Sequence, residues 1–385
     1  MDCMLSEREQ ALLEQTIEFC RTEVDPASEH WEQHECLPRE IFTKAGERGL
    51  LGLTAPSEYG GQGISYRAYV FIIKELAKHY AALALDIAAH NALSLGHLLA
   101  FGSEQQKQAY AARLIRGEWL GAWALTEPNA GSDSRGIETA ATETESGWEI
   151  TGHKTFITQG RTADLLVVMA SSGKTAAGKN EISAFLVLKD QVQPIRKIPT
   201  YGVRASETSE LRFHRAQGEL LGPRGRGQEQ ALAVLDHGRL GVAAVALGIA
   251  QAALDAALRY ALQRRQFGQR IAEFEAIQWM SADASTALDA AELLSLRAAG
   301  FLDQGKNITK EAAMAKLFAS EAATRIGNAA LQIHGGYGYS RDLPLERYLR
   351  DAKICEIGEG ISEIQRLVIA RQVFREVEKA HTLGR

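Results

Sequence analysis

The sequence predicts an α+β protein of three domains, in which two helical domains flank a β domain. Up to about residue 118 the apolar side chains recur at helical spacing. Between residues 119 and about 213 the apolar runs are short and are separated by Gly, Ser, Asn and Asp, which is typical of strands and turns. Beyond residue 227 long, alanine-rich helical patterns return. We therefore expect an N-terminal helical domain, a middle β-barrel or β-sandwich domain and a C-terminal four-helix bundle, at residues 1–118, 119–227 and 228–385.

Composition and charge are those of an ordinary globular protein. Of the 385 residues 45% are hydrophobic and 24% are charged, and the net charge is −5. The acidic balance argues against nucleic-acid binding, and we expect no apolar run long enough to span a membrane. The polar start of the chain and four scattered cysteines without a C-x-x-C pair favour a cytoplasmic location with reduced thiols. His30 and His34 are four residues apart but lack the H-E-x-x-H order, so no metal site is expected.

Capping signals and apolar periodicity place the predicted elements. Ser6 with Glu9, and Ser103 with Gln106, form the pattern of a capping box, and Pro38 opens a helix between them. Further helices are expected near 66–80, 82–100, 228–262, 273–304, 309–333 and 360–378. Strands are expected at 119–125, 148–151, 154–158, 165–169, 182–188 and 208–213.

The stretch Gly358-Glu359-Gly360 separates two helical patterns and predicts a tight turn. Glycines on both sides of Glu359 allow close approach of a ligand and unusual backbone angles. A carboxylate held in this way, in a mostly apolar setting, can act as a base with a tuned pKa. The alternative is that Glu359 caps the helix that follows.

Three other stretches place glycine or charge where a ligand can bind. The loop 126–133 presents small hydroxyls and backbone donors after a strand, Arg264 ends a long helix, and Gly335-Gly336 follows another helix. Each also has a purely structural interpretation. The loop 126–133 can be a simple turn, Arg264 can offset the dipole of its helix, and Gly335-Gly336 can terminate the helix before it.

Taken together, these stretches resemble the signatures of the acyl-CoA dehydrogenase family, in the same order and along nearly the whole chain. The similar segments are Trp123-Ala124-Leu125-Thr126-Glu127-Pro128 with Ala130-Gly131-Ser132-Asp133, Arg264-x-x-Phe267-Gly268, Gln332-x-x-Gly335-Gly336, and Glu359-Gly360 followed by Ile364-Gln365-Arg366. The segment 88–93 resembles the pocket wall of short-chain and short branched-chain members. The family's order of domains is the helical, β and helical order predicted above.

The resemblance implies an FAD-dependent oxidation of an acyl-CoA thioester to the trans-2-enoyl-CoA, with electrons passed to an electron-transfer flavoprotein. Glu359 matches the base that removes the α proton, and the β hydrogen leaves as hydride to flavin N5. Some members carry the base at the position of Gly238, which cannot serve here. Substrate contacts are implied for Ser132, Asp236, Arg239 and Gly360. Cofactor contacts are implied for Trp123, Leu125, Thr126, Phe156, Ile157, Thr158, Arg264, Gln266, Phe267, Glu275, Gln332, Gly335, Gly336, Ile361 and Glu363.

The resemblance also implies a homotetramer, because in the family the segments that match Arg264 and 332–336 reach the FAD of a neighbouring subunit. Some positions depart from the family pattern. Glu275 and Glu363 replace Gln, Ile361 replaces Thr, and Phe156 replaces the more usual Trp beside the flavin. Loss of one hydroxyl and two amides is expected to weaken the hold on the adenosine half of FAD, by on the order of 1 kcal/mol each.

Several alternatives keep this fold. One is a dehydrogenase of an acyl-carrier-protein thioester, and another is an acyl-CoA oxidase that uses oxygen as acceptor. A relative recruited to DNA protection would need a basic C-terminal surface, which the residues after 360 do not supply. The predicted helix 83–100 carries no Arg or Lys, which disfavours a dicarboxylic acyl group, because the second carboxylate would need a partner. We therefore expect a short straight or short branched acyl group.

Overall fold

The computed structural model describes residues 5–145 and 147–383, and it begins with a helical domain. Ser6 and Ser103 cap the first and last helices of this domain through capping boxes, which confirms both sequence predictions. The π-helical turns Cys20–Val24 and His90–Leu95 link consecutive helices. The helices are α1 (Glu7–Phe19), α2 (Asp25–His34), α3 (Arg39–Glu47), α4 (Tyr66–His79), α5 (Ala81–Ala89), α6 (Gly96–Phe101) and α7 (Glu104–Ile115).

The middle of the chain forms a seven-stranded mixed sheet that closes into a barrel. Its order is β1-β4-β2-β3-β7-β5, with β6 paired to β7, and an additional antiparallel pairing of β4 with β5 closes the ring. Closure lets the strands bury apolar side chains such as Trp148, Phe185 and Phe213 in the interior. The strands are β1 (Gly121–Ala124), β2 (Ala140–Thr144), β3 (Gly147–Thr158), β4 (Leu165–Lys174), β5 (Asn180–Leu188), β6 (Val192–Lys197) and β7 (Thr208–Leu221).

The strand predictions need two corrections. The predicted strands 148–151 and 154–158 are one strand, β3, because Gly152 lets the backbone pass Thr139, whose Oγ1 would lie 2.4 Å from an added Cβ. Strands β2 and β6 were not predicted. Most of the side chains of β6 are exposed, so it lacks the alternation of apolar and polar residues that identifies a half-buried strand.

The C-terminal domain is a bundle of long helices. Alanines on α8 pack with almost no exposed area, which allows close approach to α4, α5, α9 and α10. Helix α8 therefore joins the bundle to the N-terminal domain. The elements are α8 (Gly227–Gln263), a short ribbon of β8 (Arg265–Gln266) and β9 (Gln269–Arg270), α9 (Glu275–Leu302), α10 (Thr309–His334), α11 (Gly336–Tyr339), α12 (Leu345–Ile357) and α13 (Ser362–Leu383).

Two helical stretches, Ala81–Phe101 and Gly227–Gln263, are long and apolar enough to cross a membrane by length and composition. The expectation that no apolar run reaches this length was therefore wrong. Both stretches are mostly buried inside the protein, 78% and 83% respectively, so they are core helices of the two helical domains. The cysteines that the structure describes, Cys20, Cys36 and Cys355, are free thiols. Within residues 5–145 and 147–383 no group of three His, Cys, Asp or Glu side chains could hold a metal ion.

Candidate active site

The turn Gly358-Glu359-Gly360 joins α12 to α13, as the sequence predicts. Glu359 adopts a left-handed backbone conformation with φ of 56°, and Gly360 follows with φ of 102°. Few side chains tolerate such angles, so the surrounding structure must hold the turn in place. At Gly360 an added Cβ would also lie 2.7 Å from Nε2 of Gln365, so a larger residue would be strained by its backbone angle and would displace the Gln365 amide.

Three side chains from three different helices hold the carbonyl groups of this turn. Arg239 of α8 donates through Nε to the Glu359 carbonyl at 3.4 Å, and Lys316 of α10 donates through Nζ to the Gly360 carbonyl at 2.7 Å. Gln365 of α13 donates through Nε2 to both carbonyls, at 3.3 and 2.8 Å. The backbone conformation that aims Glu359 is therefore determined by the packing of the whole bundle.

The Glu359 side chain is electrostatically unusual. Its Oε2 is buried and has no hydrogen-bond partner among the described residues, whereas a helix-capping carboxylate would accept a backbone N–H. Burial raises the pKa of Glu359 to about 7, and the positive charges of Arg239 and Lys316 oppose this rise. A carboxyl with such a pKa can exchange a proton near neutral pH.

Gly238 of α8 lies directly against this carboxylate. A Cβ at this position would lie 2.0 Å from Oε2 of Glu359 and 2.8 Å from Cδ2 of Leu93. The glycine thus leaves the space that the Glu359 side chain occupies. The two positions at which the family carries its base, by the resemblance noted above, are adjacent in this structure.

Glu359 opens into a cavity of about 600 Å³, which we call the central cavity. Its wall combines α5 and the following π-helical turn, the barrel, α8, and α12 with the turn after it. The lining is mostly apolar, with a few hydroxyl groups, as is usual for a site that binds an organic ligand. Predicted site residues that line it are Trp123, Thr126, Ser132, Phe156, Thr158, Glu359, Gly360 and Ile361.

The last residues of β3 alternate between this cavity and the barrel core. Phe156 has a φ of 57° and is 63% exposed, and Thr158 also lines the cavity. Ile157 between them is 2% exposed and packs in the barrel interior. Leu125 is also buried, and its carbonyl accepts a hydrogen bond from Nζ of Lys154 at 2.8 Å. Ile157 and the Leu125 side chain therefore support the cavity wall from behind.

A buried hydrogen-bonded chain orients Trp123. Nε1 of Trp123 donates to Nδ1 of His97 at 3.1 Å, and Nε2 of His97 lies 3.1 Å from Oε1 of Gln230. Burial lowers the pKa of His97 to about 4, so the ring is neutral and carries its proton on Nε2. The sequence analysis did not identify this chain, because its members are distant in sequence.

Another group of predicted cofactor residues lies elsewhere, around a cavity of about 650 Å³ that we call the lateral cavity. It brings together Arg264, Gln266, Gly335 and Gly336, and the Arg264 guanidinium lies 5.6 Å from the centre of the Tyr337 ring. None of the residues that the structure describes lines both the central and the lateral cavity. Phe267 is 94% exposed beside this group.

The remaining predicted residues occupy two environments. Glu275, Gln332 and Glu363 are exposed on the surface of the bundle. Asp236 and Arg239 are buried beneath the Glu359 turn, where Oδ1 of Asp236 accepts a hydrogen bond from Arg239 at 2.7 Å. Oδ2 of Asp236 accepts from Thr309 at 2.5 Å, so both of its oxygens are engaged within the protein.

Lys316 is another residue of the site that the sequence analysis missed. Its side chain is fully buried, and burial lowers its pKa to about 8. A signal was present in the sequence, because this lysine interrupts an alanine-rich face of α10 formed by Ala312, Ala315 and Ala319. A lysine on such a buried face needs a partner, and here the partner is the Gly360 carbonyl.

Comparison with known proteins identifies the class to which this fold and site belong. Acyl-CoA dehydrogenase N-terminal, middle and C-terminal domains match residues 6–118, 122–216 and 225–374. A probable acyl-CoA dehydrogenase, YngJ, of Bacillus subtilis is 44% identical over 383 residues, covering 97% of this chain and all of the relative. The mitochondrial short-chain specific acyl-CoA dehydrogenase of Rattus norvegicus is 42% identical over 376 residues, covering 96% of this chain and 91% of the relative.

Solved structures that superpose on this chain indicate the same family. Butyryl-CoA dehydrogenase of Megasphaera elsdenii superposes with a TM-score of 0.94 at 36% identity, covering 97% of this chain and 100% of the other. A chain from a structure described as the electron transferring flavoprotein of Acidaminococcus fermentans gives a TM-score of 0.94 at 38% identity, with coverage of 97% and 100%. The chain belongs to the acyl-CoA dehydrogenase family, and it is an FAD-dependent oxidoreductase.

The residues present fit FAD. The central cavity offers aromatic and hydroxyl side chains, from Trp123, Phe156, Thr126 and Thr158, of the kind that contact a flat, partly polar ring system. The lateral cavity offers the exposed guanidinium of Arg264, which suits a pyrophosphate.

Proposed function

We propose that this protein oxidises a short-chain acyl-CoA to the trans-2-enoyl-CoA, with Glu359 as the base that removes the α proton. The observation that carries the proposal is the buried, unpartnered Oε2 of Glu359, with a pKa near 7, in a cavity lined by the residues of the family signatures. A thioester acidifies the adjacent α C–H, so a carboxylate of raised pKa is well matched to it.

Each group around the Glu359 turn has a role in the transfer of the α proton. The α proton passes to Oε2 of Glu359, and the protonated carboxyl is then the favoured form in its buried site. Bound FAD supplies the acceptor for the β hydrogen, which leaves as hydride while the α,β double bond forms. Lys316, Arg239 and Gln365 keep the Glu359 backbone fixed during this change of charge.

Ligand contacts are proposed on the same basis. Trp123, Thr126, Phe156 and Thr158 would surround the flavin ring, and Ser132 would contact the CoA arm at the cavity wall. The Asp236–Arg239 pair supports the turn from beneath, which adds a positioning role to the CoA contact that the resemblance implies.

A short acyl group is favoured by the part of the cavity wall that α5 and the following turn form. Leu85, Ala89 and Leu93 of α5 and the following turn contribute only apolar side chains to it. This part of the wall offers no cation to a second carboxylate of a dicarboxylic substrate, and the cations that line the cavity elsewhere, Arg350 and Lys353, are paired with Glu346 and Glu356. The similarity to short-chain specific dehydrogenases points the same way.

An oligomer with composite cofactor sites is proposed because the predicted FAD contacts are divided between two cavities that share no residue. The C-terminal domain also exposes large apolar side chains, which is typical of a surface that another subunit covers. Examples are Phe267 at 94%, Phe374 at 69%, Trp279 at 62% and Leu293 at 62%. We propose a homotetramer in the cytoplasm that passes electrons to an electron-transfer flavoprotein.

Glu359→Gln is expected to slow flavin reduction by acyl-CoA by about a thousandfold, because an amide cannot accept the α proton. The measurement is anaerobic titration of the FAD-loaded protein, in which bleaching of the flavin absorbance is followed with short straight, short branched and long acyl-CoA thioesters. The native protein should bleach fastest with a short thioester.

Glu29→Gln, which alters an exposed carboxylate of α2, is the matched control and should bleach like the native protein. Bleaching of Glu359→Gln at the native rate would mean that the base lies elsewhere. Failure of every acyl-CoA to bleach the native flavin would favour a carrier-protein thioester.

A mixing experiment tests the composite site. Glu359→Gln damages the central cavity, and Arg264→Ala damages the lateral cavity. When the two variants are co-expressed, a site that combines the intact halves of two subunits should form at about a quarter of all positions, and activity should reappear. Each variant expressed alone is the control. If the mixture is no more active than the two variants separately, each FAD is held by a single chain.

Lys316→Met is expected to move the acid limb of the pH profile of kcat/KM upward by about one unit. The base must be ionised, so activity falls as the pH drops through the Glu359 pKa of about 7. Loss of the Lys316 charge removes an interaction that lowers this pKa, so a higher pH is then needed for ionisation. Lys310→Met is the control on the same helix, since Lys310 pairs with Glu376. Identical profiles for both variants would contradict the positioning role of Lys316.

A further inference from the structure

A third cavity, which we call the inter-domain cavity, lies between the N-terminal helices and the barrel and has a volume of about 510 Å³. It is separate from both cavities described above, since it shares no lining residue with either. Its walls come from the segment after α2, from α3 and α5, and from the turn that follows β3. The volume lies within the range of small-molecule sites.

Gln159 is the central feature of this cavity. The residue is 1% exposed, and neither Oε1 nor Nε2 of its amide has a hydrogen-bond partner among the described residues. Burial of an unpaired amide is unfavourable, so such a group calls for a ligand or another functional reason.

The backbone of Gln159 is also unusual, with a φ of 57°. It is held there by a hydrogen bond from its N–H to the Glu207 carbonyl at 2.6 Å and by two bonds that its own carbonyl accepts, from the N–H groups of Thr162 and Ala163. The turn after β3 thus keeps a costly conformation that presents the amide to the cavity.

The charges around this amide favour an anion. Arg161 and Lys189 are exposed at the rim, and Arg39 and Lys197 line the same cavity. Two acidic residues besides Asp86 line the cavity, Glu35 and Glu207, and Glu207 accepts hydrogen bonds from the N–H of Arg161 at 2.9 Å and from the Ser209 hydroxyl. The four cations outnumber these carboxylates. Arg39 pairs with Asp164 at 2.6 Å, and Nζ of Lys197 donates to the carbonyls of Glu35 and Arg204. Arg161 and Lys189 are therefore the cations of this cavity that are available to an anion, in a protein whose net charge is −5.

Asp86 offsets little of the positive charge of the inter-domain cavity. Its Oδ1 accepts a hydrogen bond from the Ser206 hydroxyl at 2.5 Å, and burial raises its pKa well above the ordinary value. Burial therefore disfavours the charged form of this carboxyl.

We propose that the inter-domain cavity binds a nucleoside monophosphate, with the phosphate on Arg161 and Lys189 and the base on the Gln159 amide. A glutamine amide places a donor beside an acceptor, which matches the edge of an adenine. Guanidinium and ammonium groups at the rim are the usual partners of phosphate.

Ligand binding in the inter-domain cavity would also change the surroundings of the flavin. Phe156 and Thr158 line the central cavity, and Gln159, the next residue, lines the inter-domain cavity. A ligand that orders the Gln159 turn acts directly on the segment beside the cofactor, so the flavin absorbance gives a second readout.

The test is calorimetric titration of the FAD-loaded, full-length protein with AMP, accompanied by flavin spectra. Arg161→Met and Gln159→Leu should each weaken AMP binding by about tenfold or more. The matched control, Arg48→Met, alters an exposed arginine outside the cavity and should bind AMP like the native protein. Gln159→Leu should also keep its FAD and its thermal midpoint, because it removes an unpaired buried amide.

Three results would overturn the proposal. One is the absence of AMP binding, and another is binding that Arg161→Met leaves unchanged, which would place the nucleotide at an adenosine subsite of FAD or CoA. The third is equal affinity for inorganic phosphate and AMP, which would reduce the cavity to an anion site without base recognition. Because the Arg161 side chain is exposed, its variant remains informative even if Gln159→Leu folds poorly.

Discussion

The three hydrogen-bonded supports of the Glu359 turn are the interaction on which the rest of the site depends. Arg239, Lys316 and Gln365 lie on three different helices, yet their donors meet at two neighbouring carbonyls. The bundle must be fully assembled before this arrangement exists. The left-handed conformation of Glu359 is therefore maintained by tertiary packing, and its carboxylate is carried into an apolar cavity without a partner of its own.

The barrel forms another part of the wall of the central cavity. Alternation along the end of β3 directs Phe156 and Thr158 to the central cavity, while Ile157 anchors the strand in the core. Behind it, Lys154 forms a fully buried ion pair with Glu127 at 2.7 Å, which ties β3 to the loop after β1. This ion pair fixes the loop to the strand, which suits a surface that must hold a cofactor ring.

Much of the fold, and the turn that carries Glu359, was predictable from local sequence. Capping boxes at Ser6 and Ser103, the glycines around Glu359 and the change from helical to strand periodicity all act over a few residues, so they are visible in the chain itself. Contacts between distant residues were not predictable from such patterns. The Lys316 bond to Gly360 spans 44 residues, and the Trp123–His97–Gln230 chain joins residues of all three domains. The unpaired amide of Gln159 became apparent only when its surroundings were known.

The central claim is that burial at this turn brings the Glu359 carboxyl to a pKa near neutrality. Infrared difference spectroscopy measures this directly, if the carboxyl band of the native protein that is missing in Glu359→Gln is followed as the pH is raised. The account predicts that this band disappears with a midpoint of about 7. A midpoint near the ordinary glutamate value of about 4.3 would contradict it, because the carboxyl would then be as well solvated as one on the surface.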